Sequence, residues 1–321
     1  MSLYSAIFIL LVNIISCVLT SEGDRSPFHQ NCVKNCLSNS CNSDAYTFKS
    51  TAWEELSIWS QLLWNCRDEC RYKCMWRTVQ AFQERGYRIP KFHGKWPFVR
   101  MYGVQEPASA LASLLNLACH VYMLMKIRRT FSSKNTPLLM FWKVFAYVCI
   151  NAWAWSTIFH TRDTPFTEFM DYSCALSMVL ALFVAAIVRV FHRRRAVMLG
   201  ALAAPLLYCG EHVRYLRAGL VDYDYNMLVN LVFGVAGSLV WCAWAALQLA
   251  ARRRHAWRAA AFPLLTGAAL ALELLDFPPR YGSWDAHALW HLATAPLPLL
   301  FYRFVIDDLY LLQMTKLSEK T

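Results

Sequence analysis

Charged side chains are scarce in this chain: Asp, Glu, Lys and Arg make up 17% of its 321 residues, against roughly a quarter in a soluble globular domain. Glycine and proline are scarce too, at 11 and 12 residues, which excludes a collagen-like or Pro/Gly-rich low-complexity chain. Disorder is excluded from the opposite side, because 13 Trp, 15 Tyr, 19 Phe and a hydrophobic content of 57% are what disordered segments lack. Two catalytic signatures are missing as well. There is no G-x-S-x-G elbow and no H-E-x-x-H pair, so a serine hydrolase of that design and a zincin are both excluded. What is present in excess is apolar sequence, together with a formal net charge of +11.

The chain begins with an apolar run, Ala6 to Val12 continuing to Val18, that ends in Thr20 and Ser21 before Glu22 and Asp24. This is the layout of a secretory signal peptide over residues 1–21, with a weak basic head because no Lys or Arg precedes Arg25. An uncleaved anchor helix is the alternative. From Glu22 to Arg100 the composition turns water-soluble, with 12 Lys and Arg, 8 Asp and Glu, and no long apolar stretch.

Six of the 12 cysteines fall in that segment, as Cys32, Cys36 and Cys41 and then Cys66, Cys70 and Cys74. Cys66, Cys70 and Cys74 are spaced i, i+4, i+8, which lines their sulfurs along one helix face. Two antiparallel helices stapled together pair the outer cysteines with each other and the inner ones with each other. The expected bridges are therefore Cys32–Cys74, Cys36–Cys70 and Cys41–Cys66, in an oxidising compartment. A zinc site is the competing reading, although CxxxC is not the usual CxxC spacing.

After Pro97 long apolar runs alternate with short polar connections. Spans are expected at Gly103–Met125, Leu138–Phe159, Glu168–Arg189, Val197–Tyr215, Asn226–Ala250, Ala259–Leu275 and Ala286–Ile306, each near the roughly 20 residues that cross a bilayer. The connection after the first span carries Lys126, Arg128, Arg129 and Lys134; that after the third, Arg193 to Arg195; that after the fifth, Arg252 to Arg254 and Arg258. The alternate connections carry one basic residue each, with acids beside it. This is the positive-inside pattern: loops one, three and five cytosolic, the cysteine-rich segment lumenal and the C-terminal tail cytosolic. Nucleic acid is not the expected partner, because the basic residues are divided among short juxtamembrane loops. The fold class is thus all-α, a seven-transmembrane-helix bundle (101–310) behind a small disulfide-stapled helical lumenal domain (22–100), with a cytosolic tail (311–321).

Ionisable groups inside a span are costly and mark function. At the lumenal end of the second span Ser156 and His160 are four apart; Asp171 lies near the start of the third; His287 and His291, again four apart, open the seventh. Two His at i, i+4 on one helix grip one metal, and a third from another helix leaves the fourth tetrahedral position to water. In that reading Asp171 takes the proton and Ser156 orients water or oxyanion. Spacing alone leaves ordinary interfacial packing open. Glu211, His212, Glu273, Asp276 and Asp285 are candidates to orient a ligating imidazole, while His192 and His255 read as solvated, His120 as packed, and Pro296 and Pro298 as a bend in the last span.

Several motifs are familiar in combination. They are Phe92-His93-Gly94-Lys95-Trp96-Pro97-Phe98, Gln105-Glu106-Pro107-Ala108-Ser109, the Cys66–Cys74 helix continuing into Met75-Trp76, Phe159-His160-Thr161-Arg162-Asp163 and Leu274-Leu275-Asp276-Phe277-Pro278-Pro279. Together, over nearly the whole chain, they resemble a family of GPI-specific phospholipases. That family is similar to the wider CREST group of seven-span hydrolases, which includes alkaline ceramidases and adiponectin receptors. Its pattern is a Ser and a His four apart, an Asp eleven further on and a late His-x-x-x-His, matched here by Ser156, His160, Asp171, His287 and His291. The resemblance implies Zn2+ as cofactor and GPI-anchored proteins with their lipid anchors as partners. It also implies removal of the sn-2 acyl chain from the anchor's phosphatidylinositol, in the Golgi membrane or also the endoplasmic reticulum. A ceramidase-like amidase and a non-enzymatic GPI-protein receptor or folding factor are the alternative functions.

Overall fold

The computed structural model describes residues 21–54, 56–132, 136–218 and 223–318. The expected signal peptide lies outside the described residues but for Ser21. The described chain is helical, with no strand beyond four isolated β-bridges, and divides into two compact units, Met1–Pro107 with Phe277–Asp285, and Ala108–Asp276 with Ala286–Thr321.

In the first unit, helices α1 (Glu22–Arg25), α2 (Pro27–Ser40), α3 (Ser50–Glu54), α4 (Ile58–Leu63) and α5 (Cys66–Glu84) follow one another. Helix α5 starts where the Asn65 side chain accepts the Asp68 amide at 2.9 Å, and Asp68 and Glu69 place negative charge in its first turn, where the helix dipole favours it. It is joined to the α2 segment by Cys32–Cys74, Cys36–Cys70 and Cys41–Cys66, the pairing expected from the spacing. The close sulfur group of Cys41, Cys66 and Cys70 is thereby disulfide sulfur, not thiolate, and the zinc alternative for these cysteines falls away. Replacing Cys36 and Cys70 together by serine opens a link across 34 residues. It should destabilise this unit by about 2–5 kcal/mol, read as earlier cleavage of the segment in thermal-challenge proteolysis of the full-length protein.

Arg100 closes the same unit. Its guanidinium bonds Glu69 at 2.9 Å and lies over the Trp64 and Tyr72 rings at 3.4 and 4.0 Å, a buried cation held by a carboxylate and two ring faces. Burial pushes its pKa down to about 10 against the pull of Glu69, leaving it charged at neutral pH. Residues 277–285 are stitched on through Val99 N–H to the Gly282 carbonyl at 2.9 Å. Gly282 has φ +75°, and a Cβ there would stand 2.7 Å from Val99 Cγ2, so this junction admits glycine alone among common residues.

In the second unit the helices are α6 (Pro107–Thr130), α7 (Leu139–Thr161), α8 (Pro165–Phe191), α9 (Arg195–Ala218), α10 (Tyr223–Ala250), α11 (Trp257–Glu273), α12 (Ala286–Thr294) and α13 (Leu297–Ser318). The expected spans all fall on helices, with ends that move by a few residues. Among the described residues, five stretches are long and apolar enough to cross a membrane: Pro107–Thr130, Pro165–Phe191, Arg195–Ala218, Tyr225–Ala250 and Ala286–Ser318. The other two depart for physical reasons. Helix α7 carries Lys143, Asn151, Trp142, Trp153 and Trp155 and buries ten of its residues against neighbours, so it needs less lipid-facing apolarity; α11 has only 17 residues, about 26 Å of helix.

The last stretch is one apolar segment but two helices, broken between Thr294 and Leu297. Pro296 disfavours helical geometry at the residue before it and has no N–H to continue the ladder, so the bend expected there is a full interruption. Helix α8 begins with Pro165 at its first position and a reciprocal Thr164–Thr167 capping box. Trp142, Trp241, Phe301 and Phe304, each at most 1% exposed, form the centre of the core, with ring pairs such as Trp241–Phe304 edge-on at 5.5 Å.

Candidate metal centre

The last turn of α7 places His160 one residue before the helix end, and the first turns of α12 place His287 and His291 on one face. The interruption at Pro296 makes α12 a short, separately aimed helix. Potential ligand atoms of the three histidines all lie within 4.8 Å of one another. Their ring centroids are 5.2 Å (His160–His287), 5.1 Å (His160–His291) and 4.4 Å (His287–His291) apart. His160 and His291 are 2% and 3% exposed, while the His287 side chain is 32% exposed, so the cluster is approached from the His287 side. Trp153 and Trp290 stand at 5.2 and 4.9 Å from the His291 ring and wall the cluster with apolar surface.

The groups bound to the second nitrogens decide what the rings can hold. His287 Nδ1 lies 3.0 Å from both carboxylate oxygens of Glu273, at the end of α11. An ionised carboxylate only accepts, so this contact fixes the proton on Nδ1 and puts the ring's lone pair on Nε2. His291 Nδ1 lies 2.8 Å from Ser113 Oγ, and Ser113 Oγ lies 3.2 Å from Ser156 Oγ. Both contacts are satisfied by Nδ1 donating to Ser113 and Ser113 to Ser156, which again leaves the lone pair on Nε2, and equally by the reverse sense, which places it on Nδ1. Asn116 Nδ2 donates to the His291 carbonyl at 2.8 Å, which fixes the backbone of the same turn. Three imidazoles, two of them with Nδ1 engaged by a carboxylate and a hydroxyl, make a group that could hold a metal ion.

The structure thus brings His160, His287 and His291 together and ties Ser156, 6% exposed, to His291 through Ser113. Asp171 is half-buried, six residues into α8, a helix that follows α7 after a three-residue connection and packs on it. Of the groups considered as orienting partners, Glu273 is in contact with a ligand-type histidine. His212 bonds Asn226 Oδ1 at 3.1 Å, and Glu211 pairs with Arg214 at 2.7 Å on the surface.

Ser113 and Asn116 were not singled out from sequence. The signal exists: Ser109, Ser113, Asn116 and His120 fall at i, i+4, i+7, i+11 on α6, a buried polar stripe in an apolar helix. His255 corrects another expectation. It is not solvated but lies 3.5 Å from Asp308, whose carboxylate holds the buried Arg189 guanidinium through bonds of 2.5 and 2.8 Å. His192 is half-buried against the Arg189 carbonyl at 3.0 Å. His120 is packed, as expected, and bonds the Tyr302 hydroxyl at 3.0 Å.

If Glu273 orients His287 as a ligand, Glu273→Gln should weaken metal retention by about 10–100-fold, measured as the chelator concentration that strips half the metal from the purified protein. Unchanged retention would remove Glu273 from the centre.

The chain is similar to known proteins over nearly its whole length. It is 42% identical to "Post-GPI attachment to proteins factor 3" of Drosophila melanogaster over 310 residues, covering 95% of this chain and 94% of that one. It is 44% identical to "GPI-specific phospholipase A2-like PGAP3" of Danio rerio over 305 residues, covering 92% and 93%. The Homo sapiens protein of the same name is 40% identical over 312 residues, covering 96% of each chain. No solved structure matches. Residues 57–309 match the Per1-like family, and the chain belongs to it.

Proposed function

We propose that the protein is a zinc-dependent acyl-ester hydrolase that removes the sn-2 acyl chain from the phosphatidylinositol of GPI-anchored proteins. The observation that carries this reading is the meeting of His160, His287 and His291 at one end of the helical unit, two of them oriented through Nδ1 by Glu273 and Ser113. The names of the relatives, "GPI-specific phospholipase A2-like", supply the substrate class.

A zinc ion held by the three histidines would supply Lewis-acid polarisation of the ester carbonyl and acidify water near neutrality. The remaining work belongs to side chains. Asp171 accepts the proton of the attacking water and returns it to the departing glycerol oxygen, so that one ester and one water give a carboxylic acid and a lyso-lipid. Ser156, with Ser113 behind it, donates to the oxygen that gains charge as the carbonyl is attacked. Trp153 and Trp290 keep bulk water from the His291 side, which strengthens these electrostatic contacts.

The positive-inside pattern and the disulfides support a multi-pass protein of the Golgi membrane, or also of the endoplasmic reticulum. Its N-terminal domain is then lumenal and its C-terminus cytosolic, ends on opposite sides that an odd number of spans, such as the expected seven, provides. An ester at the glycerol backbone sits near the headgroup boundary of the lumenal leaflet, level with a site at the lumenal helix ends. The test is incubation of purified protein with a GPI-anchored substrate. Release of an sn-2 fatty acid with accumulation of the lyso-anchor is expected, and absence of hydrolysis with metal-loaded protein overturns the reading.

A further inference from the structure

The disulfide ladder of the first unit does more than hold two helices. Beside the Cys32–Cys74 and Cys36–Cys70 bridges, helices α2 and α5 leave a cleft of about 590 Å³, within the size range of small-molecule sites. One wall is made by Asn31, Asn35 and Asn39, four residues apart and therefore stacked along one face of α2. The other carries Lys73 and Arg77 of α5, likewise four apart. Phe28, 46% exposed, stands a turn beyond the Cys32–Cys74 bridge, at the end where Arg77 lies.

The charge of this cleft is unbalanced. Its one acid, Glu69, is already bonded to Arg100 at 2.9 Å. Lys73 and Arg77, both exposed along this wall, form no ion pair or hydrogen bond among the described residues. The side chains of Asn31 and Asn35 form none either. Two cations one turn apart on the same wall, with no protein counter-charge, are placed to receive an anion, and Arg with Lys is a phosphate-binding pair. A row of amides, each both donor and acceptor, matches a run of hydroxyls that are the same. An exposed ring at the end offers an apolar face on which a pyranose can lie. All of it is mounted on helices joined by covalent rungs, so little ordering is needed on binding.

We propose that this cleft binds a phosphate-bearing oligosaccharide; its identification with the headgroup glycan of the GPI anchor rests on the hydrolase reading above. The cleft then selects lipids that carry the glycan, a role separate from chemistry at the histidines.

Equilibrium dialysis of the full-length detergent-solubilised protein tests this with four probes: a phosphorylated mannobiose, the same disaccharide without phosphate, inorganic phosphate alone and an acidic hexapeptide. The phosphorylated sugar should bind tightest, and Lys73→Glu with Arg77→Glu should weaken it at least tenfold. Lys73→Arg with Arg77→Lys should restore it, the native disulfide map being retained throughout. In hydrolysis assays the charge-reversed protein should show a raised KM and unchanged kcat on a GPI-anchored substrate, and unchanged turnover of phosphatidylinositol lacking the glycan. Failure of the wild type to bind the phosphorylated sugar, equal binding by the charge-reversed protein, or tighter binding of phosphate alone or of the peptide would overturn the proposal. Dialysis needs no turnover, so retained binding without hydrolysis upholds the cleft and overturns the hydrolase reading alone.

Discussion

His291→Ala is expected to remove the bound metal and to lower hydrolysis of a GPI-anchored substrate at least about 1,000-fold, or roughly 4 kcal/mol in the barrier. The loss is large because this residue is joined to the rest of the centre at several points. Its ring stands 4.4 Å from His287 and 5.1 Å from His160, and its Nδ1 is the contact through which Ser113 and Ser156 are tied to the cluster. Truncation removes a donor and leaves two histidines, too few for a tetrahedral catalytic site with one open position. The backbone should survive, because Asn116 holds the His291 carbonyl and not its ring. Elemental analysis and product mass spectrometry of the same preparation check the result. Full activity in the variant would remove His291 from the metal centre.

Asp171→Asn has the second largest expected effect and a different signature: metal bound at wild-type stoichiometry, turnover reduced by about 100- to 10,000-fold, the range for loss of a general base. Asparagine has nearly the same shape but cannot take the proton. This variant separates the hydrolase from a receptor or folding factor whose metal is structural, because the latter keeps both metal and cellular function when Asp171 changes. Loss of metal together with activity would instead make Asp171 a ligand or a support of one. Retained metal with full turnover would remove it from catalysis.

The two units were legible in the sequence to different depths. The disulfide pairing expected for two antiparallel stapled helices is the one found, with Cys32 and Cys36, and likewise Cys66, Cys70 and Cys74, spaced four apart and Cys41 following as the C-cap of its helix. The helices followed from apolar runs, and their ends shifted where caps act: Thr164 and Pro165 start α8 three residues before the apolar run does. Hydropathy was less informative for Leu139–Thr161, since a helix enclosed by its neighbours is free to carry Trp, Asn and Lys.

At the site, spacing within a single helix identified His287 with His291 and Ser156 with His160, because i, i+4 places side chains together whatever the fold. It could not pair helices. That Glu273 meets His287 was one choice among several acids at similar depth, and Ser113 and Asn116 were hidden because serine and asparagine are unremarkable singly; only their common face on α6 marks them. His255 shows the same limit in reverse. Its neighbours in sequence are arginines, which suggested solvent, whereas its neighbour in space is the Asp308 carboxylate that also holds Arg189.

The central claim is that three histidines hold a catalytic metal acting on a GPI lipid. Its most direct test is elemental analysis of purified wild-type and His287→Ala protein, coupled to mass spectrometry of the GPI lipid each has processed. The account predicts about one zinc per wild-type chain with an sn-2 lyso-anchor product, and neither in the variant. Zinc absent from active wild-type protein, or a lyso product formed equally by His287→Ala, would contradict it.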